Sequence, residues 1–139
     1  MTKTKSRKIL VIHGPNMNLL GLRKRGNRGR ITLDKLNKHI RITAKSRGLS
    51  PTIIQTNDEC RAVNRILRQR KKIQGILIFP GPWQQSGHII KDTLEILSIP
   101  CIAVSIGEKE GVLKGMKNIE GADIYKSSTK AITGLAELI

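Results

Sequence analysis

The chain predicts an α/β protein, a doubly wound five-stranded parallel sheet in strand order 2-1-3-4-5, in one domain over residues 1–139. Three observations predict it. Short β-branched apolar runs without polar alternation indicate strands covered on both faces. Segments of helical periodicity separate those runs, and strands alternating with helices mean a parallel sheet. Gly- and Pro-rich stretches follow the first and third runs, where this architecture opens its crevice.

"RKILVIH" at 7–13 is the first strand, ended by "GPN". "TIIQT" at 52–56, "GILIFP" at 75–80, "PCIAVS" at 100–105 and the weaker "ADIY" at 122–125 are the other four. Thr32 caps a first helix with Leu33, Leu36, Ile40 and Ala44 on its inner face. Lys45 and Arg47 suit its negative end, and Gly48 closes it. Asn57 or Asp58 caps a second, whose inner face carries Ala62, Val63, Ile66 and Leu67. Ser86 or Gly87 opens a third, with Ile89, Ile90, Leu94 and Leu97. Ser127 or Ser128 opens the last, with Ala131, Ile132, Leu135 and Leu138.

Lys and Arg total 26 against 10 Asp and Glu, a net charge of +16 that creates a positive field attractive to polyanions. Aromatic content is only 2%, so any nucleic acid would be held by its phosphates rather than by base stacking. Cys60 and Cys101 have no metal-ligand or disulfide-framework spacing and read as buried free thiols of a reducing compartment. No apolar run approaches a membrane span, and the run after "MTKTKSRK" is too short for a signal-peptide core. A cytoplasmic protein follows, although a clipped organellar import sequence is compatible with the same start.

Two loops border the predicted crevice: "HGPNMNLLGLRKRGNRGR" and "PGPWQQSG". "GPNMNLLG" fits neither a GxxxxGK[ST] phosphate loop nor a GxGxxG dinucleotide turn. Residues 22–30, "LRKRGNRGR", carry five cations and no acid and read as a basic lid. Glycines interleaved with arginines let amides and guanidinium forks wrap phosphate or carboxylate groups. A second basic run, "RILRQRKK" at 65–72, lies on the solvent side and tail of a helix and reads as a solvated face.

"ILVIHGPNMNLLGLR" (9–23), "IIQTNDE" (53–59), "GILIFPGPWQQSGHIIKDTL" (75–94) and "SIPCIAVSI" (98–106) together resemble the type II 3-dehydroquinate dehydratases. The resemblance runs in register over about residues 8 to 106, with a shortened tail. It implies the flavodoxin-like version of the fold above, a lid after the first strand, and a homo-oligomer, a trimer or a dodecamer of four trimers. The implied reaction dehydrates a small cyclic 3-keto carboxylate through an enolate, with no metal or cofactor. Position by position, Asn16 matches an active-site Asn, Arg23 the catalytic Arg of the lid, Glu59 an acid near the site and Gly81 the turn glycine. Asp92 matches an Asp that reaches a neighbouring subunit's site.

The proton-moving residues do not carry over. The lid tyrosine that serves as base falls on Arg28, and a guanidinium cannot act as a base. The histidine assigned to protonating the departing hydroxyl falls on Gln85, the Asn holding the enolate-stabilising water on Phe79, and the substrate-binding "HLS" on Ser105, Ile106 and Gly107. Each lost acid, base or stabiliser is worth about 10²–10⁴ in rate. His13 at the end of the first strand points toward the crevice, His88 lies one helical turn past Gln85, and Tyr125 ends the last strand. These three are the candidates for a rebuilt acid/base set. Trp83 reads as packing beside the crevice.

Two functions follow. One is a catalytically degenerate relative that binds a polyanion such as RNA or DNA, with Lys24, Arg25, Arg28 and Arg30 crowding the lid and Asn16, Arg23, Gly81, Gln85 and Ser105 lining the crevice. The other is a carbon-oxygen lyase on a small carboxylate, working through His13, His88 or Tyr125; carboxylate binding without turnover leaves a third reading, a small-anion sensor.

Overall fold

The computed structural model describes residues 6–23, 31–106, 111–113, 117–121 and 123–139. The lid residues Lys24, Arg25, Arg28 and Arg30, and Gly107, lie outside the described residues. Five parallel strands pair in the order β2-β1-β3-β4-β5: β1 (Arg7–His13), β2 (Leu49–Gln55), β3 (Gly75–Phe79), β4 (Cys101–Ser105) and β5 (Lys117–Glu120). The flavodoxin-like order is therefore present. The helices are a 3₁₀ turn at Met17–Leu22, α1 (Leu33–Ser46), α2 (Glu59–Gln69), α3 (Trp83–Ser86), α4 (His88–Leu97) and α5 (Ile124–Leu138).

Because side chains alternate across a strand, β1 and β3 feed two cores. Ile9, Val11, Leu77 and Phe79 meet Leu36 and Ile40 of α1 and Ala131, Ile132 and Leu135 of α5 on one face. Leu10, Ile12, Ile76 and Ile78 meet Ala62 and Ile66 of α2 and Ile90 and Leu94 of α4 on the other. Burial on both faces explains the unbroken apolar runs of these strands.

The caps follow the sequence at two helices. The Thr32 hydroxyl accepts the Lys35 N–H at 3.3 Å, and α1 ends at Gly48 with φ +73°, the left-handed closure expected of glycine. The Asp58 carboxylate accepts the N–H groups of Cys60 at 2.9 Å and Arg61 at 3.4 Å. Replacing Asp58 with alanine should cost about 1 kcal/mol, read as a lower urea midpoint at unchanged slope.

Several expectations are corrected. Of "ADIY", the described residues 123–125 are not a strand: Asp123 accepts the Tyr125 N–H at 3.0 Å and the Lys126 N–H at 3.2 Å, so it starts α5. Ser127 and Ser128 are consequently buried within that helix rather than at its cap, and Tyr125 lies in its first turn rather than at a strand end. The fifth strand is instead "KNIE", Lys117–Glu120, a segment the sequence did not mark as a strand; among its described side chains Ile119 is the buried apolar one. Cys60 is exposed, because it occupies the outward side of the first turn of α2. Burial pushes the Cys101 thiol up to about 12, which leaves it protonated and unreactive. Leu67, Ile89 and Leu138 are exposed: the first two lie one step round the helix from Ile66 and Ile90, which take the inner position, and Leu138 is in the last turn of α5.

Candidate functional site

β1 and β3 run side by side with His13 paired to Phe79, so the loops after them share one end of the sheet. They meet very closely. The Gly14 N–H donates to Phe79 O at 2.9 Å, and a Cβ on Gly14 would stand 2.7 Å from Pro80 O and 3.0 Å from Trp83 Cε3. Only glycine fits that contact. Gly81 adopts φ +53°, turning the second loop into α3. Trp83 is buried in the α2/α4 core, which makes it packing, as expected.

The rim of this crevice is polar. Asn16, exposed and at φ 69°, donates its N–H to Asn57 Oδ1 at 3.1 Å. Gln55 Nε2 donates to the same oxygen at 3.1 Å and to Gly14 O at 3.1 Å. Arg23, half-buried, closes the 3₁₀ turn with its N–H on Leu20 O at 3.0 Å. β2, the first loop and the start of α2 therefore present Asn16 and Gln55 together.

The floor is different. The His13 and Phe79 rings stack with centroids 4.6 Å apart, both fully covered on the α1/α5 face of the sheet. His13 Nε2–H donates to Asn37 Oδ1 of α1 at 2.8 Å, and its Nδ1 has no partner among the described residues. Burial lowers the His13 pKa to about 4, only partly offset by the Asn37 bond. The expectation that His13 faces the crevice is corrected: it lies two residues past Val11 and shares that residue's inward face. At neutral pH about one molecule in a thousand would carry a proton there.

The other expected residues separate. Glu59 Oε2 accepts the Ile90 N–H at 3.2 Å, so its carboxylate anchors the first turn of α4, where negative charge is favourable. Gln85 and His88 are exposed on α3 and at the start of α4. Ser105, at the end of β4, is buried with no partner for its Oγ among the described residues. Asp92 is exposed on α4. Tyr125 packs on His39 with centroids 4.7 Å apart, at the α1/α5 interface, and His39 Nε2 lies 3.1 Å from Tyr125 O and 2.9 Å from Thr129 Oγ1. That pairing belongs to helix packing rather than to the crevice.

Sequence reasoning missed Gln84, which is fully buried. Its Nε2 donates to Asn118 Oδ1 at 3.1 Å, its Oε1 accepts the Gly111 N–H at 3.2 Å, and its backbone O accepts the Val112 N–H at 2.7 Å. Gly111 packs so closely on Gln84 O that no Cβ fits. The adjacent "QQ" gives no signal of which glutamine faces inward. Among the described residues no three His, Cys, Asp or Glu side chains form a metal-ligand set, and no helix is long and apolar enough to cross a membrane.

A family model, dehydroquinase class II, matches residues 7–112. The 3-dehydroquinate dehydratase of Trichodesmium erythraeum is 39% identical over 98 residues, covering 70% of this chain and 65% of that protein. The match thus spans slightly under two thirds of that relative's length. The enzyme of the same name from Thermotoga neapolitana is 36% identical over 104 residues, 75% of this chain and 70% of its own. The crystal structure of a type II dehydroquinase from Butyrivibrio crossotus superposes with a TM-score of 0.84 at 28% identity, covering 95% of this chain and 99% of that one.

Proposed function

This chain belongs to the class II dehydroquinase family, and we propose that it is a catalytically degenerate member that binds a small carboxylate at the crevice without dehydrating it. One observation carries the reading: the His13–Phe79 stack. An enolate is stabilised by polar groups or an ordered water placed where charge develops. Phe79, where the family resemblance expects an Asn, offers an apolar ring in contact with a neutral, enclosed imidazole. Glu59 is held at the Ile90 N–H, Gln85 does not titrate, and Arg28 cannot serve as a base. What is kept is the anion-holding rim: Asn16, Arg23 and the amides around Gln55.

The test is a direct dehydration assay on 3-dehydroquinate, followed as the absorbance of the conjugated enone, beside calorimetry with the same compound. Binding without turnover at high protein concentration is the expected result. Measurable turnover at micromolar protein overturns it in favour of the second reading, a working lyase. That reading draws on the relatives' printed activity and on exposed His88 close in sequence to Gln85, and it requires His88→Ala to abolish the turnover. Association into the trimer or dodecamer of the family resemblance would place exposed Asp92 at a neighbour's site, and sedimentation of the wild type against Asp92→Lys reads it.

A further inference from the structure

The run from Arg61 to Lys72 contains six cations and no acid. Arg61, Arg65 and Arg68 follow at i, i+4 and i+7, one stripe of α2 about 10 Å long. With Ile54, Gln55 and Thr56 this stripe lines a concavity of about 500 Å³ between the helix and β2, which is an edge strand of the sheet. Arg68 also borders a second concavity of about 670 Å³, lined with Asn64, Leu67, Arg70, Lys71 and Lys72. The shared arginine joins the two hollows into one trough. Its upper end is Gln55, whose amide is bonded to Gly14 O and Asn57 at the crevice rim.

A solvated helix face ordinarily interleaves signs, as α4 does with Lys91 and Glu95 3.9 Å apart. The trough does not. Among the described residues none of its six cations has an ion pair, and Arg70 turns its guanidinium onto the Leu67 carbonyl at 2.7 Å instead. Like charges at i and i+4 weaken a helix by a few tenths of a kcal/mol, which a polyanion laid along them would relieve. Concave walls of low dielectric focus such a field.

We propose that the α2 trough binds the phosphodiester backbone of nucleic acid without reading its bases. A row of cations about 10 Å long matches a repeating anion rather than a single one: a duplex carries one charge per about 1.7 Å of axis, or about six over that length. With 2% aromatic residues there is no platform for base stacking, so recognition rests on phosphate. Leu67 is the trough's one exposed large apolar side chain, too little for insertion into a lipid surface. The trough meets the crevice at Gln55, but the substitutions that test it lie on α2 outside the crevice rim, so the test is independent of whether 3-dehydroquinate is turned over.

The experiment is fluorescence anisotropy with a short duplex DNA, the matching duplex RNA and the corresponding single strands, from about 50 to about 200 mM salt. Six engaged phosphates give a slope of log K against log salt of about −5 on duplex DNA. Arg61→Gln/Arg65→Gln/Arg68→Gln should make that slope shallower by about 2.7 and weaken binding at least tenfold. A variant of equal charge change on α1, Lys38→Gln/Arg41→Gln/Lys45→Gln, should leave the slope within about one. Circular dichroism of both checks that the substitutions, at exposed positions and at half-buried Arg65, leave the fold intact. The ranking of the duplex and single-stranded arms identifies the nucleic acid. Equal weakening by both variants would assign binding to net charge and overturn the site. Absence of binding at the lowest salt, or tighter binding to polyglutamate than to every nucleic acid, also overturns it.

Discussion

Replacing Gln84 with alanine should lower the unfolding free energy by about 3–5 kcal/mol. Gln84 is fully buried, and both ends of its carboxamide are bonded, to Asn118 of β5 and to the Gly111 N–H. Truncation leaves an amide oxygen and a backbone N–H without these partners, at about 1–3 kcal/mol each, and adds a cavity where the side chain stood. Gln84→Met separates these contributions: it fills the volume but bonds to neither group, so it should recover about 1–2 kcal/mol of the loss. The loss should also be local in character. Asn118 in turn donates to Leu113 O at 3.0 Å, so the Gln84 side-chain amide ties residues 111–113 and β5 to α3, beside the Val112 N–H bond to Gln84 O and the pairing of β5 with β4. Hydrogen exchange at Ile119 and Val112 should accelerate in the alanine variant far more than at Val11 or Leu77. Urea midpoints for the two variants and the wild type measure the first effect, and an alanine variant within 1 kcal/mol of wild type would remove Gln84 from its role as the tie.

Which elements were legible follows from where each sits in the sheet. β1, β3 and β4 are covered on both faces, and such strands write themselves as unbroken apolar runs, whereas the edge strand β2 shows a shorter one. β5 lies at the sheet's edge with Ile119 its one buried apolar residue, so "KNIE" carries no such run, whereas "ADIY" imitates one because Ile124 packs inward from the first turn of a helix. β2 begins at Leu49, three residues before the run that announces it, since an edge strand tolerates Pro51. Caps were legible at Thr32 and Asp58, whereas the Asp123 cap was hidden inside a stretch whose apolar residues read as a strand.

The crevice divides in the same way. Its position follows from topology, and Gly81 was matched as the turn glycine through the family resemblance, whereas the close approach that requires Gly14 depends on the Phe79–Trp83 segment across the sheet and was not read. What each polar group does there was not readable, because the partners come from distant elements. Glu59 is matched by position to an acid near the site, yet its bond runs to the Ile90 N–H, 31 residues away. His13 meets Asn37 across 24 residues, and Tyr125 meets His39 across 86. A titratable residue near a crevice in sequence is therefore a weak guide until its hydrogen-bond partner is known.

His13 offers the sharpest check of that distinction, through stability rather than rate. Its folded pKa of about 4 lies below its ordinary value of 6.5, because protonation would place a charge in a buried pocket whose other occupants, Phe79 and Asn37, are uncharged. Between those two values the unfolded chain binds the proton and the folded one does not. The stabilisation is thus complete above pH 6.5 and is lost as pH falls toward 4, by about 3 kcal/mol in all. His13→Asn removes the titration along with the ring stack. The variant should be less stable at neutral pH by about 1–2 kcal/mol, yet its stability should fall less steeply than the wild type's as pH drops from 6.5 to 4. Carboxylates titrate in both proteins and cancel in the comparison, so the profiles should converge and then cross. Parallel profiles would mean that His13 protonates as easily folded as unfolded. It would then be reachable by solvent and available as an acid, and the reading of a crevice floor closed to proton transfer would fail with it.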